Sequence, residues 1–367
     1  MENIWEKYAK VLVEYSTSIK KDDKVIIRAE AQAQPLIKAV YEEVLKKGAH
    51  PILRVSLDEI NNSYYKYASD EQLDYIDDFV KMEYEKSDAL IAISAPYNVK
   101  ALSRVSAEKQ ARRSKATKGL SVKMLNRAAN GELNWVICNF PTNARAQEAK
   151  MSLEEYKEFL INSCYLNDKS PVEQWKAMDK KQTQIAEILN TKSKIRITGE
   201  KTDVEFSVKD RKWISCAGKN NFPDGEIFTS PVEDSANGEI YFDFPAIYRG
   251  NEVNGIYIKL KDGKVIEAKA EKNEPFLLKM LSQDEGASFV GEVAIGTNNM
   301  IQDITGDILF DEKIGGSIHI AFGASYPETG GKNESGLHWD IIKNMKNNGK
   351  IYADDELIYK NGKFLIS

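Results

Sequence analysis

An α/β half followed by an α+β half is the fold class that the sequence predicts, and three observations predict it. In the first half, short apolar runs alternate with helical periods, which implies a mostly parallel sheet with helices on both faces. Beyond residue 190 the pattern changes to short alternating strands separated by turn signals, which implies a large, mostly antiparallel sheet. At 367 residues the chain is too long for one typical core, so two domains are expected, 1–190 and 191–367.

The elements follow in order. Residues 2–20 read as a helix, with Ile4, Trp5, Tyr8, Val11, Leu12 and Tyr15 near the 3.6 period. Lys24–Ala29 is a buried-strand pattern. A helix from Pro35 to Lys47 ends at Gly48, and Pro51–Val55 is the second strand. Helical patterns cover Ser69–Lys86, Ala89–Ser94 is a third strand, and a basic helical stretch spans roughly Leu102–Met124. Trp135–Phe140 supplies a fourth strand. Ser152 and Glu155 form a capping-box pattern that opens a helix to Cys164, and another helix runs from about Pro171 to Leu189.

Asn190–Lys194 reads as the hinge. Strands are then expected at Lys194–Thr198, Thr202–Val208, Lys212–Cys216 and Glu239–Phe242, with a hairpin turning at Asp262-Gly263. A helix at Glu274–Leu281 and two terminal ribbons, around Asn348-Gly349 and Asn361-Gly362, complete the pattern.

Composition removes several function classes. Hydrophobic content of 42% and charged content of 29% describe a soluble globular protein, and no apolar run is long enough to cross a bilayer. The first residues, an amphipathic pattern with acidic side chains, match neither a signal nor a transit peptide. Cys138, Cys164 and Cys216 are odd in number and widely spaced, which fits neither a disulfide framework nor a cysteine zinc knuckle, and the cytoplasm is the expected address. A net charge of −5 argues against nucleic acid as the main partner, and the basic stretch Arg104–Lys123 reads as a solvated helix. Neither G-x-G-x-x-G after the first strand nor a P-loop occurs, so the first half reads as a covering or assembly domain. A serine or cysteine nucleophile has no motif context either, since no G-x-S-x-G elbow is present.

What remains is a set of metal-ligand types near the end of the chain. Of three histidines, His319 and His338 lie in Ser317–Asp340, while His50 reads as structural. In an extended HWD, His338 and Asp340 share a face and Trp339 points away. Taken singly, such a pair is also an ordinary couple of polar strand residues. Glu292 lies in the apolar strand GEVAIG, where a carboxylate is costly to bury alone, and Glu226 lies in PDGEIFTSP. With His319, His338 and Asp340 they make two imidazoles and three carboxylates, the ligand stock of a dinuclear site.

The segments GEIFTSP, GEVAIG, IHIAFGASYPE and HWD resemble the M29 metallo-aminopeptidase family, the aminopeptidase T and aminopeptidase S group. The likeness runs through the C-terminal half and extends upstream through WVICNFPTNARAQEAKMSLEEYKEF. By this resemblance the metal ligands fall on Glu226, Glu292, His319, His338 and Asp340, with Glu292 bridging and Tyr326 acting at the metals. Two divalent ions (zinc, cobalt or manganese) would lower the pKa of a bridging water that hydrolyses the first bond of a short peptide. The resemblance also implies a homodimer whose subunits enclose the site. The segment between Tyr326 and His338 is shorter here than in the better-known members and holds Gly330, Gly331 and Gly336, which bears on substrate preference. Two other functions stay open on the residues: a metal-dependent amide or ester hydrolase with a non-peptide substrate, and a non-enzymatic scaffold stabilised by metal.

Overall fold

Lys24–Glu30, His50–Ser56, Ala89–Ser94 and Asn134–Asn139 form a parallel sheet in the computed structural model, which describes residues 3–366. The sheet order is His50–Ser56, Lys24–Glu30, Ala89–Ser94, Asn134–Asn139, and last the short parallel strand Asn221–Phe222. The inner strands Lys24–Glu30 and Ala89–Ser94 are mostly apolar and largely buried, whereas the edge strand His50–Ser56 is largely exposed. This sheet belongs to a compact unit that runs through Trp175 and takes in Gly218–Pro223.

Local chemistry sets the helices of this unit. Ser152 Oγ accepts from Glu155 N at 3.2 Å and Glu155 Oε2 accepts from Ser152 N at 2.7 Å, so the expected capping box starts the helix Leu153–Ser163. The expected first helix is an α-helix over Ile4–Lys10 that continues as a π-helical turn over Val11–Ser16; residue 2 of that expectation lies outside the described residues. The helical stretch expected at Ser69–Lys86 is two helices, Asp70–Asp74 and Asp78–Lys86, each started by a side-chain cap from Ser69 or Asp77. A further helix, Asp58–Tyr67, precedes them where none was expected. The basic helix, Ala107–Ala129, buries none of its side chains. Its Arg112 pairs with Asp70 and Asp74, and its Lys123 with Glu85.

The second unit comprises Lys176–Ala217 and the chain from Asp224 onward, so the division falls within the helix Pro171–Leu189 rather than at Asn190–Lys194. It holds two large antiparallel sheets and a two-stranded ribbon of Ala246–Tyr248 and Asn251–Val253. The larger runs Lys264–Lys269, Ile256–Lys261, Asn237–Phe242, Thr202–Ser207, Lys194–Gly199, Lys350–Ala353, Glu356–Lys360 and Lys363–Phe364. The smaller runs His338–Asn344, Ser317–Gly323, Val290–Gly296, Glu226–Thr229 and Ile214–Cys216.

One core joins the sheets. The larger sheet supplies Ile195, Val204, Phe206, Ile240 and Ile258, and the smaller one Ile227, Val293, Ile295, Ile318, Ile320, Trp339 and Ile341. Because side chains alternate along a strand, this apolar set turns Glu226, Glu292, His319, His338 and Asp340 to the opposite face.

Turns fix the registers of the ribbons. Asp262 and Gly263 both have positive φ, as a two-residue hairpin needs, and so do Asn361 and Gly362. The ribbon expected around Asn348-Gly349 is not one: the strands on either side lie in different sheets. The hairpin turns instead at Asp354-Asp355, both with positive φ.

Candidate metal centre

The five expected ligands converge on one face of the smaller sheet. Its register places Glu292 and Asp340 directly opposite Ala321, one on each side, and His338 opposite Gly323. His319 lies two residues before Ala321, on the same face, and Glu226 stands opposite Gly296 at the end of its strand. Ala321 leaves open the space between two carboxylates that a larger side chain would fill. Gly323 has φ +104°, and a Cβ there would sit 2.2 Å from the Leu337 carbonyl, so only glycine lets the chain leave the strand beside His338.

The nitrogens and oxygens face one another. Glu292 Oε1 lies 3.7 Å from His319 Nε2, and Glu292 Oε2 lies 3.2 Å from His338 Nε2. Asp340 Oδ1 also faces both rings, at 3.8 and 3.4 Å, while Glu226 Oε2 approaches His319 Nε2 at 3.3 Å. Each ring's other nitrogen is tied to a main-chain carbonyl, His319 Nδ1 to Glu312 at 3.1 Å and His338 Nδ1 to Ala324 at 2.8 Å. Such a bond keeps the proton on Nδ1 and turns the Nε2 lone pair inward, the arrangement a metal-binding imidazole needs. Tyr326 packs edge-on against Phe228 and His338, with its hydroxyl 3.4 Å from His338 Nε2.

The family is settled by comparison. A family model described as thermophilic metalloprotease (M29) matches residues 1–364. The chain belongs to the M29 family. Aminopeptidase PepS of Streptococcus thermophilus is 27% identical, over 100% of this chain and 98% of that protein. Aminopeptidase T of Thermus thermophilus is 27% identical, over 88% of this chain and 85% of that protein. The solved structure of wild-type AmpT from Thermus thermophilus superposes with a TM-score of 0.84 at 24% identity, covering 99% of both chains. A 2,5-dihydroxypyridine dioxygenase from Pseudomonas putida shares the fold with a TM-score of 0.61 at 14% identity, over 99% of this chain and 96% of that one. One fold thus carries unrelated chemistries, and the donor set has to carry the functional argument.

M29 membership makes the chain an enzyme of the metallo-aminopeptidase family, a hydrolase, and removes the non-enzymatic scaffold. The donor set fits the metals that membership implies. Three overlapping groups have ligand atoms within 4.8 Å of one another: Glu226, Glu292 and His319; Glu292, His338 and Asp340; Glu312, His319 and Asp340. Glu226 Oε2 and Asp340 Oδ1 are buried with no hydrogen bond, and leaving such an atom unsatisfied costs about 1–3 kcal/mol or more for a charged group. A cation among them removes that cost.

The electrostatics agree. Burial acts to lower the His319 pKa, but Glu292, Glu226 and Asp340 raise it to about 10. For His338 burial acts the same way, and Asp340 and Glu292 push it to about 12. Burial works to raise the Asp340 pKa, but His338 and His319 hold it well below the usual range. Without metal, then, the imidazoles supply by protonation the positive charge that the carboxylates demand.

Sequence reasoning missed two members. Lys313 is fully buried, with its ammonium on Glu226 Oε1, on Glu312 Oε1 at 2.5 Å, and 3.5 Å from Asp224 Oδ1. Burial opposes its charge, yet Glu226, Glu312 and Asp224 hold its pKa well above the usual amine value. Glu312 itself is raised, first by burial, with Lys313 pulling the other way. Both sit in DEK, a triplet that reads as surface; its closeness to the buried strand Ser317–Gly323 was the available signal. Among the described residues no helix is long and apolar enough to cross a membrane. The thiols offer no rival nucleophile: burial pushes Cys138 up to about 12 and raises Cys164 and Cys216.

Proposed function

We propose that the chain is a dinuclear-metal aminopeptidase that removes the N-terminal residue from short peptides. The observation that carries this reading is Glu292, whose two carboxylate oxygens face different histidines, as a carboxylate shared between two ions must. Glu292, His338 and Asp340 would hold one ion, and Glu226, Glu292 and His319 the other. Divalent ions there (zinc, cobalt or manganese) supply a Lewis acid for the scissile carbonyl and lower the pKa of a nucleophilic water.

The remaining work falls to the protein. Glu312, grouped with His319 and Asp340 and raised in pKa by burial, takes the proton that the attacking water gives up. The Tyr326 phenol keeps its proton, because burial and then Glu292 and Asp340 raise its pKa, and so it can donate to the developing oxyanion. Sequence closeness to aminopeptidases supports peptides over other amides or esters. A homodimer, with the first unit serving assembly, and a cytoplasmic address complete the reading.

Chelation followed by re-addition of zinc, cobalt or manganese singly, with stoichiometry and turnover measured together, tests it. Two ions per chain and cleavage of dipeptides and amino-acid anilides are expected. Ester turnover without peptide turnover would favour the non-peptide hydrolase, and a chain active after complete chelation would end the metal reading.

A further inference from the structure

Lys313 divides the donor set unequally. Of the three groups able to hold an ion, the two that contain His319 each include a carboxylate already bonded to its ammonium, Glu226 in one and Glu312 in the other. The group of Glu292, His338 and Asp340 includes neither, and among the described residues no hydrogen bond or ion pair of Lys313 reaches it. The ammonium has no exposed surface, so water neither screens it nor offers it another position.

We propose that Lys313 is a built-in cation that makes the two ion sites unequal, so that the His338 side binds a divalent ion tightly and the His319 side weakly. The inference rests on the two-ion reading above. An ion held by Glu226, Glu292 and His319 shares Glu226 with a fixed positive charge. It therefore meets a weakened donor and a like charge, whereas on the His338 side neither Glu292 nor Asp340 is paired with Lys313 among the described residues. Lys313 acts through Glu226 and Glu312 and is a positioning residue. Its consequence is an enzyme whose second ion comes and goes with the supply of metal while the first stays.

Calorimetric titration of chelated full-length protein with zinc, and separately with cobalt, tests this. The wild type should take up two ions in separate steps. Lys313→Met, close in length and uncharged, should tighten the second step by about tenfold or more, because a like charge behind the ligands is removed, and leave the first within about threefold. Lys313→Arg keeps the charge and should keep the separation, which a merely structural role would not predict. Two indistinguishable steps in the wild type, or an unchanged second step in folded Lys313→Met, would overturn the proposal and leave the metal centre standing. No metal uptake by the wild type would overturn both. If Lys313→Met does not fold, the wild-type titration decides alone.

Discussion

Replacing Glu292 with glutamine tests the centre most directly. The side chain is 4% exposed and its oxygens point to separate histidines, so the amide keeps the shape and loses the charge that two ions would share. A carboxylate and a divalent ion 4 Å apart attract by about 8 kcal/mol at an effective dielectric of 20. If desolvation cancels about five sixths of that for each of two cations, about 3 kcal/mol of net attraction is still lost, or roughly a hundredfold in metal affinity. Turnover should fall further, by about a thousandfold or more, since the proposed reaction uses both ions. Glu292→Gln is to be assayed on an amino-acid anilide under saturating metal, with bound metal counted by mass spectrometry and folding followed by circular dichroism. Turnover within about tenfold of wild type, with two ions bound, would refute the bridging assignment.

The other predictions follow from the same face. Ala321→Val places methyl groups between Glu292 and Asp340; it should sharply reduce metal uptake while costing about 1–3 kcal/mol of stability, read by titration and thermal melting. Metal uptake at pH 7 should release protons, because without metal His319 and His338 are held protonated up to about 10 and 12; calorimetry in buffers of different ionisation heat reads the number, and a buffer-independent heat would contradict it. The sign for stability follows. A histidine raised from 6.5 to about 10 stabilises the metal-free fold fully below pH 6.5 and loses that contribution as pH rises toward 10, and Glu226, raised to about 8 by burial, acts in the same direction. Melting temperature without metal should therefore fall from pH 6.5 to 9, and added zinc should restore it. Ser152→Ala removes a cap far along the chain from these residues and should cost about 1 kcal/mol, seen in melting, with turnover unchanged.

How much of this was legible in the sequence depends on the kind of interaction. Alternation along HWDII shows which residues share a face, because a strand's period is a property of the backbone, and it placed His338 and Asp340 together, while His319 joins them only through the pairing of two strands. Capping boxes and paired left-handed turns are local as well, and Ser152 and Asp262-Gly263 act as their residue types dictate. The pairing of strands distant in sequence is not local. Asn348-Gly349 has the composition of a hairpin turn, yet the strands beside it belong to different sheets. Lys313 was missed for a related reason: a lysine beside a glutamate reads as surface, and only the fold brings Asp224, Glu226 and Glu312 around it. The helix Asp58–Tyr67 was missed because it is short and polar overall, with Ile60 its one aliphatic residue.

The bond from His338 Nδ1 to the Ala324 carbonyl ties the chemistry to the segment that leads toward Tyr326. Asn333 straps that segment at both ends, donating to the Gly286 and Gly323 carbonyls and receiving from Ser325. A gate that swung here would turn the His338 ring each time it moved. In the proposed enzyme, selection of substrates by size therefore falls to walls that hold still, and shortening or lengthening 327–337 should retune reactivity along with access.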